Sequence, residues 1–218
     1  MFEADPILPP DDDESGLEPL HDREYRVRAY RRPNGNLVVR GAVRDQKPPN
    51  LYFPDDHEPM TIHHMQVDLE IEFPKLVIAD VQVRFETHPH TACPRIIDNY
   101  DGLIGLSITR GFTHRVRELF GGPRGCSHTT ALLQAMGPVA VQSMWSMTML
   151  AARAEGRHGF VARRDEDFDQ RMMRVTSNIN TCHVWQEDGE LIEAVRTGVA
   201  ELPLFVRRRM DTLGISQG

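Results

Sequence analysis

Several things are scarce or missing in this chain, and each absence narrows its chemistry. There are only 3 cysteines in 218 residues, an odd count that excludes a disulfide framework and is read as reduced thiols. No apolar run is long and clean enough for a membrane span. The best stretch, Ala131 to Ala152, is interrupted by Gly137-Pro138 and carries Gln134, Gln142, Ser143 and Ser146, so it is read as buried helices. Residues 1–22 contain no Lys or Arg, whereas an export signal opens on basic residues; a cytoplasmic protein is expected. There is no Cys-x-x-Cys, His-Glu-x-x-His, Gly-x-Ser-x-Gly elbow, phosphate loop, kinase motif or dinucleotide fingerprint. Gly121-Gly122-x-x-Gly125 lacks the Gly-Lys-Ser/Thr ending of a phosphate loop.

The formal net charge of −7 is uneven along the chain. Eight acids lie in residues 1–22, leaving a body of 25 bases and 24 acids. A neutral body without a basic stripe argues against nucleic acid as a partner. The one basic cluster, Arg207-Arg208-Arg209, is read as a solvated helix end. The acidic, Pro-rich residues 1–22 are expected to form a mobile tail, which could dock a partner protein. Residues 23–218 are expected to form a single α+β domain: an N-terminal hairpin and connection (23–60), a site-bearing core (61–155) and C-terminal helices (156–218).

Two hairpins open the domain. Tyr25 to Tyr30 alternates, Pro33-Asn34-Gly35-Asn36 supplies a turn, and Leu37 to Val43 returns. In Thr61–Phe73 the odd residues His63, Met65, Val67, Leu69, Ile71 and Phe73 form an apolar face opposite His64, Gln66, Asp68, Glu70 and Glu72. Leu76–Thr87 alternates likewise, so the pair predicts a small antiparallel sheet with one wet face and one covered by helices. A loop at Phe73-Pro74-Lys75 sets Glu72 opposite Leu76 and His63 opposite Phe85, at the open end of the hairpin. The acids Asp68, Glu70 and Glu72 fall on the wet face and are read as solubility. Beyond residue 94 the period changes to 3.6. Helices are predicted over Arg95–Leu106, Thr113–Phe120 (capped by Thr113), Ser127–Met136, Val139–Glu155, Asp167–Ile179, and Glu190–Leu213 with a bend at Pro203.

Each cysteine has a histidine within three residues. The chain leaves the second hairpin through His88-Pro89-His90-Thr91-Ala92-Cys93, which carries Cys93 to the end of the sheet where His63 sits. Cys126, in Gly125-Cys126-Ser127-His128, falls at a helix start, where unpaired N–H groups favour thiolate. Cys182-His183 forms the third cluster; there Cys182 is read as a small core residue. Thiolate and imidazole are the ligands zinc and iron favour, so His63, Cys93 and Cys126 are the expected metal ligands, with zinc or iron the expected cofactor. His128 or His90 would serve as acid and base. Arg110 would hold an anionic substrate, or else pair with Asp98 or Asp101. The bland alternative leaves the cysteines in the core and the histidines lining a metal-free pocket.

His63-His64-Met65, Pro89 to Cys93, Tyr100 through Leu106, Gly111-Phe112-Thr113, Val116-Arg117-Glu118 and Gly125-Cys126-Ser127-His128 carry a resemblance to a bacterial family catalogued as a domain of unknown function, with Cys182-His183 as a further landmark. A fainter likeness is to NifU/SufU-type iron–sulfur scaffold proteins. It implies a site of His63 or His64 with Cys93 and Cys126, although His63-His64 stands where the scaffold has a cysteine and the scaffold's nearby Asp is missing. The expected function is a metal-dependent lyase or hydrolase. Its substrate is a small molecule, apolar or aromatic if the Met-rich helix around Trp145 lines the pocket. The alternatives are a metal or iron–sulfur carrier and a metal-free binding protein.

Overall fold

The structure is a computed structural model that describes residues 8, 16–109, 111–156 and 167–215. Arg110 and most of the expected tail lie outside the described residues. The chain forms two compact units, Met1–Thr148 and Met149–Gly218.

The first unit is built on a four-stranded antiparallel sheet in the order β1-β2-β3-β4, with β1 Asp22–Arg31, β2 Leu37–Lys47, β3 Met60–Glu72 and β4 Val77–Thr87. With the helices that follow, this is the expected α+β class. The β1–β2 turn closes at Gly35, whose φ of 89° needs no Cβ accommodated, and the Asn34 side chain accepts from the Asn36 N–H at 3.0 Å.

The β3–β4 register departs from the expected one by two residues, and the cause is visible. The turn places Glu72 opposite Val77 rather than Leu76, and a bulge leaves Ala79 unpaired, so that Met65, not His63, faces Phe85. Each feature inserts one residue. Two insertions restore the parity from Glu70 to Met65, before a further shift sets His64 opposite Thr87, and Met65, Val67, Leu69 and Ile71 remain on the apolar face. His63 instead pairs with Asp45 on the other side, across the β2–β3 ladder.

The inner face presents Leu37, Val39 and Val43 from β2 and Met65, Val67, Leu69 and Ile71 from β3, all buried. They pack with Tyr100 and Leu103 of a 3₁₀ segment (Cys93–Leu103), with Val116 and Phe120 of α1 (Phe112–Phe120), and with Leu132, Leu133 and Met136 of α2 (Ser127–Ala154). Helix α1 starts at Gly111, in the left-handed region at φ 90°, not at a Thr113 cap. Helix α2 runs unbroken through Gly137-Pro138, where two helices were expected. Proline removes only one helical hydrogen bond. Met136, Gly137 and Ala140, all buried, hold the segment in place, and a Cβ on Gly137 would sit 3.1 Å from the Phe112 ring. Gly137 is therefore a close-approach glycine and not a helix stop.

The second unit contains α3 (Phe168–Val175), opened by an Asp167–Gln170 capping box, then α4 (Glu190–Thr197) and α5 (Leu204–Leu213), around Val175, Ile192 and Val195. The single bent helix expected over Glu190–Leu213 is two helices. Gly198, at φ 77°, ends α4, and Pro203 precedes α5. Cys182 is exposed, so it is not a core residue.

Candidate metal centre

The site is assembled by two stripes of matching pitch. On β2 the inward positions continue from Leu37, Val39, Gly41 and Val43 to Asp45, a carboxylate where the pattern calls for an apolar side chain. On α2, residues four apart share a face, so His128, Leu132 and Met136 line up. A Cβ on Gly41 would lie 2.8 Å from the Met136 sulfur and 3.1 Å from a Leu132 methyl, so α2 crosses β2 at this glycine. Four helical residues advance about 6 Å and two strand residues about 6.7 Å. One turn before Leu132, the helix therefore delivers His128 to the end of the strand where Asp45 and His63 already face each other.

Asp45 is 1% exposed. Arg23, its cross-strand partner on β1, grips both carboxylate oxygens, with Nε to Oδ1 at 2.5 Å and Nη2 to Oδ2 at 2.7 Å. His128 Nε2 lies 3.1 Å and His63 Nδ1 3.2 Å from the same Oδ2, and His21 Nε2 stands 3.6 Å from Oδ1. The His63 and His128 rings are stacked, with centroids 3.8 Å apart. A carboxylate oxygen offers about two lone-pair directions. Arg23 and His128 already approach Oδ2, at 2.7 and 3.1 Å, and His63 Nδ1 is left buried with no hydrogen-bond partner.

The electrostatics follow from this crowding. Burial pushes the Asp45 carboxyl upward, but the Arg23 hydrogen bonds and charge, helped by His128 and His21, outweigh it and hold the group at about 2. His128 is lowered below the ordinary histidine value, first by burial and then by its neighbour His63, with Asp45 opposing. A neutral imidazole is the form that can donate a lone pair to a cation.

Asp45, His63 and His128 each offer one ligand atom within 4.8 Å of the others. The 3.1 and 3.2 Å separations are close to the roughly 3.3 Å between two ligands of a tetrahedral zinc ion with bonds of about 2.0–2.1 Å. Two nitrogens and one oxygen form a donor set suited to zinc or iron, and an ion here would give the orphaned His63 nitrogen its partner. The residues fit a metal.

Of the expected ligands, His63 is a member of this cluster. Cys126 stands one step behind it, with Sγ 3.7 Å from His128 Nδ1, the nitrogen turned away from Asp45. Its backbone N–H donates to the Tyr100 hydroxyl at 2.8 Å, which fixes the start of α2. Cys93 and His90 are not members among the described residues: Cys93 is half-buried at the head of the 3₁₀ segment, donating its N–H to the exposed His90's carbonyl at 3.0 Å. His128, expected as the acid–base group, is a member of the cluster, and Asp45 was not anticipated.

Residues 21–142, more than half of the chain, match the family described as "Protein of unknown function (DUF2889)". The chain belongs to that family. The matched span holds the whole sheet and every residue of the Asp45 cluster, and it ends before Cys182-His183. No curated protein and no solved structure matches the chain, and the likeness to iron–sulfur scaffolds is not shown. Among the described residues no helix is long and apolar enough to cross a membrane.

Proposed function

We propose that this DUF2889 protein is a metal-dependent enzyme acting on a small molecule by hydrolysis or elimination, with zinc or iron held by Asp45, His63 and His128. The observation that carries this reading is the buried, unpartnered His63 nitrogen aimed at a carboxylate oxygen that a second imidazole also faces. A divalent ion at such a place supplies the charge that polarises a carbonyl or phosphoryl oxygen and acidifies water. Three protein ligands leave a coordination position for substrate. The Arg23 fork holds the carboxylate in orientation, and His21, over a third exposed, is placed to pass a proton between the site and solvent. A carrier would present its ligands openly. Here the side chains are 1%, 19% and 15% exposed for Asp45, His63 and His128, which favours an enzyme.

A second reading rests on the line Cys126 Sγ, His128, Asp45, the order of nucleophile, base and orienting carboxylate in a thiol hydrolase. Elemental mass spectrometry of untagged protein, purified without chelators, separates the two. The metal reading expects about one zinc or iron per chain, lost in His63→Ala and His128→Ala and kept in Cys126→Ala. Metal-free wild type that also takes up no added zinc or iron, together with rapid alkylation of Cys126 that slows in His128→Ala, would replace it with the thiol reading.

A further inference from the structure

The face of the sheet turned away from the metal ligands carries a second arrangement, independent of the first. Even-numbered residues of β1 and β2 point outward here. Arg28 stands directly opposite Arg40 in the ladder, and Arg26 opposite Ala42, which in turn pairs with Gln66. Like charges directly opposed on neighbouring strands destabilise a sheet. The short Ala42 side chain leaves a depression of about 330 Å³ ringed by Arg26, Arg28, Arg40, Tyr30 and Gln66. Two of the guanidiniums already have acids: Arg40 forks onto Asp68 at 2.8 and 2.9 Å, and Arg26 meets Glu24 at 2.6 Å. Arg28 is half-buried and meets no acid among the described residues.

We propose that this depression binds a compact oxyanion, a phosphate or carboxylate group on a small molecule, with Arg28 as the principal contact. A guanidinium fork matches both anions through paired N–H donors. The volume is at the small end of ligand sites, which run from roughly 300 Å³ upward. Glu24, Asp68 and Glu70 border the arginines on the same face and would repel an extended polyphosphate chain, so the ligand is a compact anion and not a nucleic acid. Arg26 and Arg40 keep their acids, so Arg28 is the charge that draws the anion, and Tyr30, 44% exposed, offers a ring against which the rest of the molecule can lie.

The test is an NMR titration of the full chain, followed through the arginine Nε–H and backbone amide signals, with inorganic phosphate and, separately, malonate at constant ionic strength. Saturable shifts at Arg28, Ala42 and Gln66 with either anion, weakened at least about tenfold in both Arg28→Gln and Arg28→Lys, are expected; which anion binds more tightly identifies the group. Because Arg28→Gln removes a like-charge pair, its melting temperature in anion-free buffer should equal or exceed that of the wild type. The proposal is overturned by shifts that fail to saturate with both anions, by shifts unchanged in Arg28→Gln, or by a marked fall in the melting temperature of that variant, which would make Arg28 a support of the sheet.

Discussion

Asp45 and His63 face each other across the β2–β3 ladder on the buried side of the sheet, and the carboxylate oxygen that meets the His63 nitrogen at 3.2 Å is also met by His128 at 3.1 Å. Two imidazoles, one from a strand and one from a helix, thus depend on one oxygen. Arg23 holds that oxygen from the opposite side.

Asp45→Asn should therefore be costly. It leaves Arg23 without its charge partner and places an amide where two imidazoles need an acceptor or a co-ligand. Removing one member of a buried ion pair costs about 3–5 kcal/mol, and the partial exposure of Arg23 places the expected loss near the lower figure, about 3 kcal/mol. Urea denaturation measures it. Zinc should raise the thermal midpoint of the wild type and leave that of Asp45→Asn unmoved; equal shifts in both would remove Asp45 from the ligand set.

The pH dependence of metal-free protein should show two steps. Asp45 is held at about 2 against an ordinary 3.8, so its unfolded form takes a proton first as the pH falls. That stabilisation, about 2 kcal/mol, is complete above roughly pH 5 and lost between about pH 4 and pH 2. His128 is also lowered in the folded state, so the unfolded chain again binds the proton first, and stability declines as the pH drops through the ordinary histidine range near 6.5. Thermal midpoints recorded from pH 8 to pH 2 should fall once below neutrality and again below pH 4. His128→Ala should lose the upper step and Asp45→Asn the lower one. A flat wild-type profile between pH 7.5 and 5.5 would contradict the environment described for His128.

Tyr100→Phe tests the anchoring of α2. The buried hydroxyl accepts the Cys126 N–H at 2.8 Å, and losing it strands a donor at the helix start, at a cost of about 1–2 kcal/mol. His128 lies two residues further on. Zinc affinity measured by competition with a chromophoric chelator should weaken up to about tenfold while the metal content at saturation stays the same. Unchanged affinity would show that the Tyr100 contact supports the fold without positioning the ligand.

Much of the architecture was legible from residue patterns. Alternation with period two marked four strands and the apolar face of β3, and His63 was placed on the correct face, because side-chain direction in a strand is a local property. Capping boxes and glycine stops are equally local, although Gly137 shows how a residue type that ends helices elsewhere can serve close packing instead. Asp45 was also there to be seen: Leu37, Val39, Gly41 and Val43 establish an inward row, and the next inward position is a carboxylate. A buried acid needs a compensating partner, which makes it a marker of a site.

The grouping of Asp45, His63 and His128 was decided only by the tertiary structure. Pairing His63 with Asp45 depends on the β2–β3 register, which shifts by one residue between Asp45 and Gln46, and no period announces that shift. Bringing His128 to them depends on α2 crossing β2 at Gly41, a contact between residues 41 and 136. Proximity of cysteine and histidine in sequence pointed to thiolate ligands. The cluster instead joins residues 45, 63 and 128, because burial and hydrogen-bonding need select partners by distance in space, and chain separation enters only as the entropy of closing the loops between them.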